Sequence, residues 1–187
     1  VAIRSYGRAG RVTSFGPFPF ARVWVPESQG EAYRRHYGDR VVTIPDACDG
    51  NLCRKSNAIL DRSPRAWTLI IDDDITRVGM WEGGRRHWLG PAQIAAVVEH
   101  HFDLAEQLGV RLWGISQNFD PTSYRTFCPL NLLAPILGPF NGHLAPELRY
   151  DETMRGKDDY DFWLQNIQRY HRTLRANKYH YVHDHGK

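Results

Sequence analysis

The run Trp67-Thr68-Leu69-Ile70-Ile71 stops in Asp72-Asp73-Asp74 before Ile75, and this abrupt change limits what the chain can fold into. Successive branched apolar residues suit a strand buried on both faces, hence a sheet covered by helices. Three adjacent carboxylates at the end of such a strand repel one another and lose hydration beside packed apolar surface. A divalent cation relieves both costs, and oxygen ligands suit Mg²⁺ or Mn²⁺. In open α/β sheets, ligands gather at the carboxyl ends of strands, where these Asp fall. The alternative is a solvated acidic turn or a helix cap, since Asp favours both.

A length of 187 residues predicts one domain with a real core. A net charge of +3 is compatible with a polyanionic partner without demanding one. Cys48, Cys53 and Cys128 form no CxxC pair, which argues for a reducing compartment without a disulfide framework or zinc knuckle. No apolar run approaches the roughly 18 residues of a membrane helix and no signal peptide is apparent, so a cytoplasmic protein is expected. A first residue of Val1 is read as a domain cut from a longer polypeptide.

Along the chain, Val1-Ala2-Ile3 enters a loop carrying Arg4, Gly7, Arg8, Gly10 and Arg11, either an anion cradle or a basic turn. Strands are predicted at Ala21–Pro26 and Arg40–Asp46. A helix is predicted over 28–37, capped by Ser28 with Glu31, and another over Asn51–Leu60. The alternation argues for parallel βαβ units. Further on, 78–88 reads as a hairpin turning at Gly83-Gly84. Pro91 to Leu108 is helical by the spacing of Ile94, Val98, Phe102 and Ala105, with Gly109 as its stop. Leu112–Ile115 is a strand, 119–140 reads as loop, and Leu148–Tyr150 as a possible strand. A helix from Asp158 to about Leu174 opens on Asp158-Asp159-Tyr160-Asp161, acids that suit a helix N-terminus in any case.

These motifs, in this order, resemble the donor half of the GT-A glycosyltransferases. The carriers are Ser5-Tyr6 with Arg8, Pro45-Asp46, Gly50 with Arg54, Lys55 and Asn57, the Asp72-Asp73-Asp74 triplet as a DxD motif, and the late Asp158-Asp159-Tyr160-Asp161-Phe162. The tail looks closest to the TET-associated glycosyltransferases, phage proteins that add sugar to a hydroxymethylated pyrimidine in DNA. The resemblance implies a Rossmann-like GT-A fold with a mostly parallel central sheet flanked by helices, its nucleotide-sugar half over about 1–80 and its acceptor half over about 81–187. It further implies a nucleotide-sugar donor of the UDP-sugar kind, and a DNA acceptor carrying 5-hydroxymethylcytosine or a similar base. A protein, lipid or small-molecule acceptor, or a binding module without turnover, are the other classes. Ser5, Tyr6, Arg8, Asp46, Arg54, Lys55, Asn57, Asp72 and Asp73 would then hold the donor.

The residues suggest the chemistry independently. Asp74 with Asp72 would hold a divalent metal against the diphosphate. Arg8, Arg54 and Lys55 would share the remaining phosphate charge. Asp46 would meet the nucleobase edge, and Asp73 the sugar hydroxyls. Asp159, with Asp161 as fallback, is the candidate base for an acceptor hydroxyl, and the absence of an obvious second nucleophile argues for inversion. A tail histidine, His183 before His185, would complete the metal shell. Trp81, Trp88, Trp113, His143 and Asp158 are candidate acceptor contacts, although each Trp also suits the core.

Overall fold

The computed structural model describes residues 1–63, 67–117, 120, 122 and 124–184. It is an α/β protein with a ten-stranded mixed sheet and four α-helices. The first half runs β1 (Ala2–Arg4), β2 (Arg22–Pro26), α1 (Gly30–Tyr37), β3 (Val41–Ile44), α2 (Leu52–Arg62) and β4 (Trp67–Asp72). These four strands are parallel, in the spatial order β3-β2-β1-β4. The chain builds outward from β1 on one side, then crosses to place β4 on the other. This is the topological switch point of a doubly wound sheet. Successive residues face opposite ways: Ile3, Val23, Val25, Leu69 and Ile71 enter one core with Tyr33 of α1. Ala2, Trp24 and Ile70 enter the other with Cys53 and Ile59 of α2. Both faces are therefore covered, as an unbroken apolar strand requires.

The second half runs β5 (Ile75–Glu82), β6 (Arg85–Trp88), α3 (Pro91–Gln107), β7 (Leu112–Ser116), β8 (Leu130–Asn131), β9 (Phe140–Leu144), α4 (Asp158–Tyr170) and β10 (Leu174–His183). Helix α3 covers the first core and Phe162 of α4 enters the second. The full order is β3-β2-β1-β4-β9-β7-β10-β5-β6, with β8 on β10. The expectation of a mostly parallel sheet is corrected here: β9 is antiparallel to both β4 and β7, and β10–β5, β5–β6 and β8–β10 are antiparallel too. A parallel neighbour needs a crossover, usually a helix. The connection from β7 to β9 carries no α-helix among its described residues.

Local departures have local causes. Ser28 does not cap α1, which starts at Gly30 after a 3₁₀ turn; its hydroxyl donates to Asp46 instead. Leu148–Tyr150 is not a strand, because the Asn57 amide takes both backbone groups of Tyr150. Helix α4 stops at Tyr170, with His171 in the left-handed region at φ 60°, and Leu174 already belongs to β10. Strand β9 starts at Phe140, where the segment 119–140 read as loop ends, and Phe140 to Leu144 are all buried. No helix among the described residues is long and apolar enough to cross a membrane.

Two expected acceptor contacts prove to be core. Trp113 packs among His101, Phe102 and Phe140, and His143 lies against Tyr150 and Phe162; neither reaches solvent. Burial, with Arg4 and Arg149 nearby, lowers the His143 pKa from 6.5 to about 3. The unfolded chain therefore takes up this proton first, and stability falls as pH drops from 6.5 towards 3. We expect His143→Phe to keep the ring packing and to remove up to about 1.4 kcal/mol per pH unit from that slope. Urea unfolding at pH 7 and pH 5 checks it: an unchanged slope would mean His143 does not titrate on unfolding.

Candidate active site at the carboxyl ends of β1 and β4

Strands β1 and β4 pair with Arg4 opposite Asp72, so the switch point brings the basic loop and the acidic triplet together. Arg4 clamps Asp72 through Nε at 2.9 Å and Nη2 at 2.7 Å, while its Nη1 reaches Ser56 on α2. Asp73 accepts from the Ser5 hydroxyl and from Arg8 at 3.1 Å. Tyr33 of α1 bonds Ser5 at 2.7 Å and accepts the Arg8 backbone N–H at 2.8 Å, fixing the loop over the triplet. Ser14, wholly buried, donates to the Asp72 carbonyl and accepts from the Ile75 N–H. The arginine-bearing loop is thus committed largely to the protein: Arg4 and Arg8 to carboxylates, Arg11 to the Gly7 carbonyl.

Asp74 is treated differently. Its Oδ1 is buried and has no hydrogen-bond partner among the described residues. Burial, then the Asp72 charge, raises its pKa, while His183 and Arg8 pull the other way. Strand β10 places His183 opposite Ile75, and the Asp184 N–H bonds the Asp74 carbonyl at 2.9 Å. Asp73 is likewise raised, first by burial and against the pull of Ser5 and Arg8. Among the described residues no three His, Cys, Asp or Glu side chains gather as a ready metal cage. A Mg²⁺-type ion needs no such cage, being held by one or two carboxylates and the substrate's phosphates. Asp74, with Asp72 and His183 beside it, fits that mode; His185 lies outside the described residues.

A cleft of about 590 Å³ opens beside the loop after β1, lined by Tyr6, Ser28, Asp46, Asp49, Gly50 and Lys55 among others, and joined to the triplet through Ser5, which meets both Lys55 and Asp73. Tyr6 is exposed with the Lys55 ammonium 5.5 Å from its ring, and Asp46 accepts twice from Ser28 on the rim. Lys55 is buried, donates to the Ser5 carbonyl at 2.6 Å and pairs with Asp49 at 3.2 Å. Burial lowers its pKa and Asp49 opposes this. Arg54 and Asn57 do not line the cleft. Arg54 meets Glu152 at 3.6 Å on the surface, and Asn57 holds Tyr150 and Glu152. A hollow of about 640 Å³ at the amino ends of β1 and β4 is mostly apolar, and among the described residues Glu99 is the one charged side chain lining it.

The late acidic motif comes to the same end of the sheet. Asp159 Oδ2 accepts the Gly138 N–H at 2.9 Å, and Gly138, at φ 75°, sits where a side chain would strike the Tyr181 hydroxyl. Burial raises the Tyr181 pKa, and after burial the charges of Asp72, Asp159 and Asp74 act on it, so the two motifs converge there. Asp158 acts electrostatically on Arg4, and Asp161 accepts from Gln165 at 2.7 Å. A polar pocket of about 280 Å³, with Ser116, Gln117, Leu137 and Arg175 in its wall, opens at the end of β7 beside Gly138. The site thus unites Ser5, Tyr6, Arg8, Asp46, Lys55, the triplet, His183 and Asp159. Sequence reading missed Tyr33, Asp49, Ser14 and Tyr181. Only Asp49, a carboxylate in a Gly-bearing turn just before Lys55, offered a signal.

No family model, curated protein or solved structure matches the chain. Functional argument therefore rests on this geometry and on the motifs.

Removing Asp49 would leave the Lys55 charge buried without its partner. We expect Asp49→Ala to cost about 3–5 kcal/mol in urea unfolding. Arg54→Ala, losing only a half-exposed pair, should cost under about 1 kcal/mol. Equal effects would show that burial does not distinguish the two pairs.

Proposed function

We propose that the chain is a glycosyltransferase of the GT-A kind, moving a sugar from a nucleotide-sugar donor to a hydroxyl on a hydroxymethylated pyrimidine in DNA. The observation that carries the reading is Asp74: a buried carboxylate oxygen without a hydrogen-bond partner among the described residues, beside His183. A buried acceptor of this kind is costly unless a ligand completes it. A divalent ion held by Asp74, with Asp72 and His183, would supply charge neutralisation for the diphosphate leaving group.

The protein's own groups have distinct tasks. Tyr6 offers an exposed ring to a base and Asp46 an acceptor to its edge, while Lys55 lends positive charge to the cleft wall. Ser5, Arg8 and Tyr33 hold Asp73 rigidly, so its carboxylate is set before a sugar arrives. Asp159, oriented by the Gly138 and Tyr160 N–H groups, accepts the proton of the acceptor hydroxyl. The hydroxyl oxygen then bonds the anomeric carbon as the bond to the diphosphate oxygen breaks, from the opposite face and with inversion. The DNA acceptor and the uridine base come from the motif resemblance, and a base in duplex must leave the stack to react.

Asp74→Asn should cut transfer by about 100-fold or more and weaken Mn²⁺-dependent donor binding in calorimetry. Full activity of that variant in excess chelator would sink the assignment. Asp159→Asn keeps its size; donor binding should survive, while single-turnover transfer to hydroxymethylated DNA falls by about 100-fold. Asp161→Asn should be milder, because Gln165 already engages that side chain. A dead Asp161→Asn beside a normal Asp159→Asn would move the base to Asp161.

A further inference from the structure

Outside both cores stands a built cluster on the β5–β6 hairpin. The Trp81 ring stacks on His180 at 4.7 Å between centroids, and Trp88 meets the same imidazole edge-on at 5.8 Å. Arg86 lies 5.2 Å from the Trp81 ring and 5.1 Å from Trp88, whose ring also has Arg77 at 5.3 Å. All these groups share one face, because Arg77, Gly79 and Trp81 alternate on β5 and pair with His180 on β10 and with Trp88 and Arg86 on β6. Gly79 makes the cluster possible: a Cβ there would come within 2.7 Å of His180 and 3.0 Å of Trp88.

Packing alone accounts poorly for this. Trp81 and His180 are buried yet belong to neither apolar core, and Trp88 remains 42% exposed on an edge strand whose four residues are all exposed. An exposed indole on an open edge is a cost that natural sheets avoid. The hairpin is also basic: Arg77, Arg85 and Arg86 against Glu82 leave it at 3 − 1 = +2. Arginines interleaved with an exposed aromatic ring match a single nucleic-acid strand, whose bases stack while its phosphates pair.

We propose that the β5–β6 hairpin is a docking platform for single-stranded DNA, with a base stacking on Trp88 and phosphates meeting Arg77 and Arg86, the two guanidinium groups on that face. This rests on the reading that the acceptor lies in DNA. Gly79 is four residues along β5 from Ile75, about 13 Å. That is about four stacked nucleotides from the acidic triplet. A strand delivering an unpaired base to Asp159 would cross the hairpin.

The test is fluorescence anisotropy of a labelled 15-nucleotide single strand without modified bases, titrated with the full chain over a salt series. Wild type should bind, with a log–log salt slope of about −1.4 for two phosphate contacts. Trp88→Ala should weaken binding by about tenfold, and Arg86→Gln should flatten the slope by about 0.7. Equal affinity for wild type and both variants overturns the platform, and if hydroxymethylated DNA is still glycosylated the DNA acceptor stands. Tighter binding to duplex than to single strand also overturns the platform. Failure of wild type to bind either form, with transfer only to a non-nucleic acceptor, overturns both.

Discussion

The structure depends on how three consecutive carboxylates are tolerated at the end of a buried strand. Asp72 is clamped by Arg4 from the neighbouring strand, and Asp73 by Ser5 and Arg8 from the loop that follows it. Burying charges without such partners would cost several kcal/mol each. These contacts also order the chain around them: Tyr33 anchors α1 to the loop, and Ser14 stitches the segment between β1 and β2 to the backbone of the triplet. The compensation is deliberately incomplete at Asp74. A fold able to supply two guanidinium groups leaves the third carboxylate with a buried oxygen that has no partner among the described residues. Local cost of this sort is tolerated where a ligand completes the arrangement.

Strand β10 turns that gap into a site. Its first residues run parallel to β7, and after a register shift between Ala176 and His180 the rest pairs antiparallel with β5. Ten residues thereby serve three neighbours, β7 in parallel and β5 and β8 antiparallel, and end with His183 beside Asp74. A bulge bends a strand and re-aims its side chains, which is what delivery of an imidazole to the end of β4 requires. The same strand carries Tyr181, which feels both acidic motifs, so a histidine, a tyrosine and the triplet are fixed by one element.

How legible this was in the sequence follows from the range of the interactions. The parallel half was readable because strand and helix periodicities are local, and the triplet stood out because three Asp after Ile71 break an apolar pattern. In the second half the β5–β6 hairpin, α3, β7 and the start of α4 were readable too, but β9 and β10 were not. Phe140-Asn141-Gly142-His143-Leu144 shows no alternation, since all five residues are buried, and its Gly gives room to the Trp113 indole. Strand β10 mixes Asn, Lys, Tyr and His, because its two halves meet different surroundings. Within the site, the motif residues Tyr6, Asp46 and Lys55 were assigned to the cleft that they line. The reading of Arg4 and Arg8 as a free anion cradle missed that carboxylates far along the chain already occupy them. Asn57 resembled a donor contact, yet its amide serves Tyr150 across 93 residues, a partner no local pattern reveals.

One consequence joins the two ends of the functional argument. Strand β5 begins at the residue after Asp74 and runs without interruption to the hairpin turn, held along its length by β10 and β6. The cluster built on Trp81, His180 and Trp88 therefore stands in rigid register with the triplet. Precise placement of a reacting hydroxyl is worth more when its tether is a strand in a sheet than when it is a loop, since less motion must be frozen on binding. The open edge of β6 ceases to be a liability if a nucleic-acid strand lies along it, because the guanidinium groups that keep other sheets away are the groups that a phosphate backbone needs.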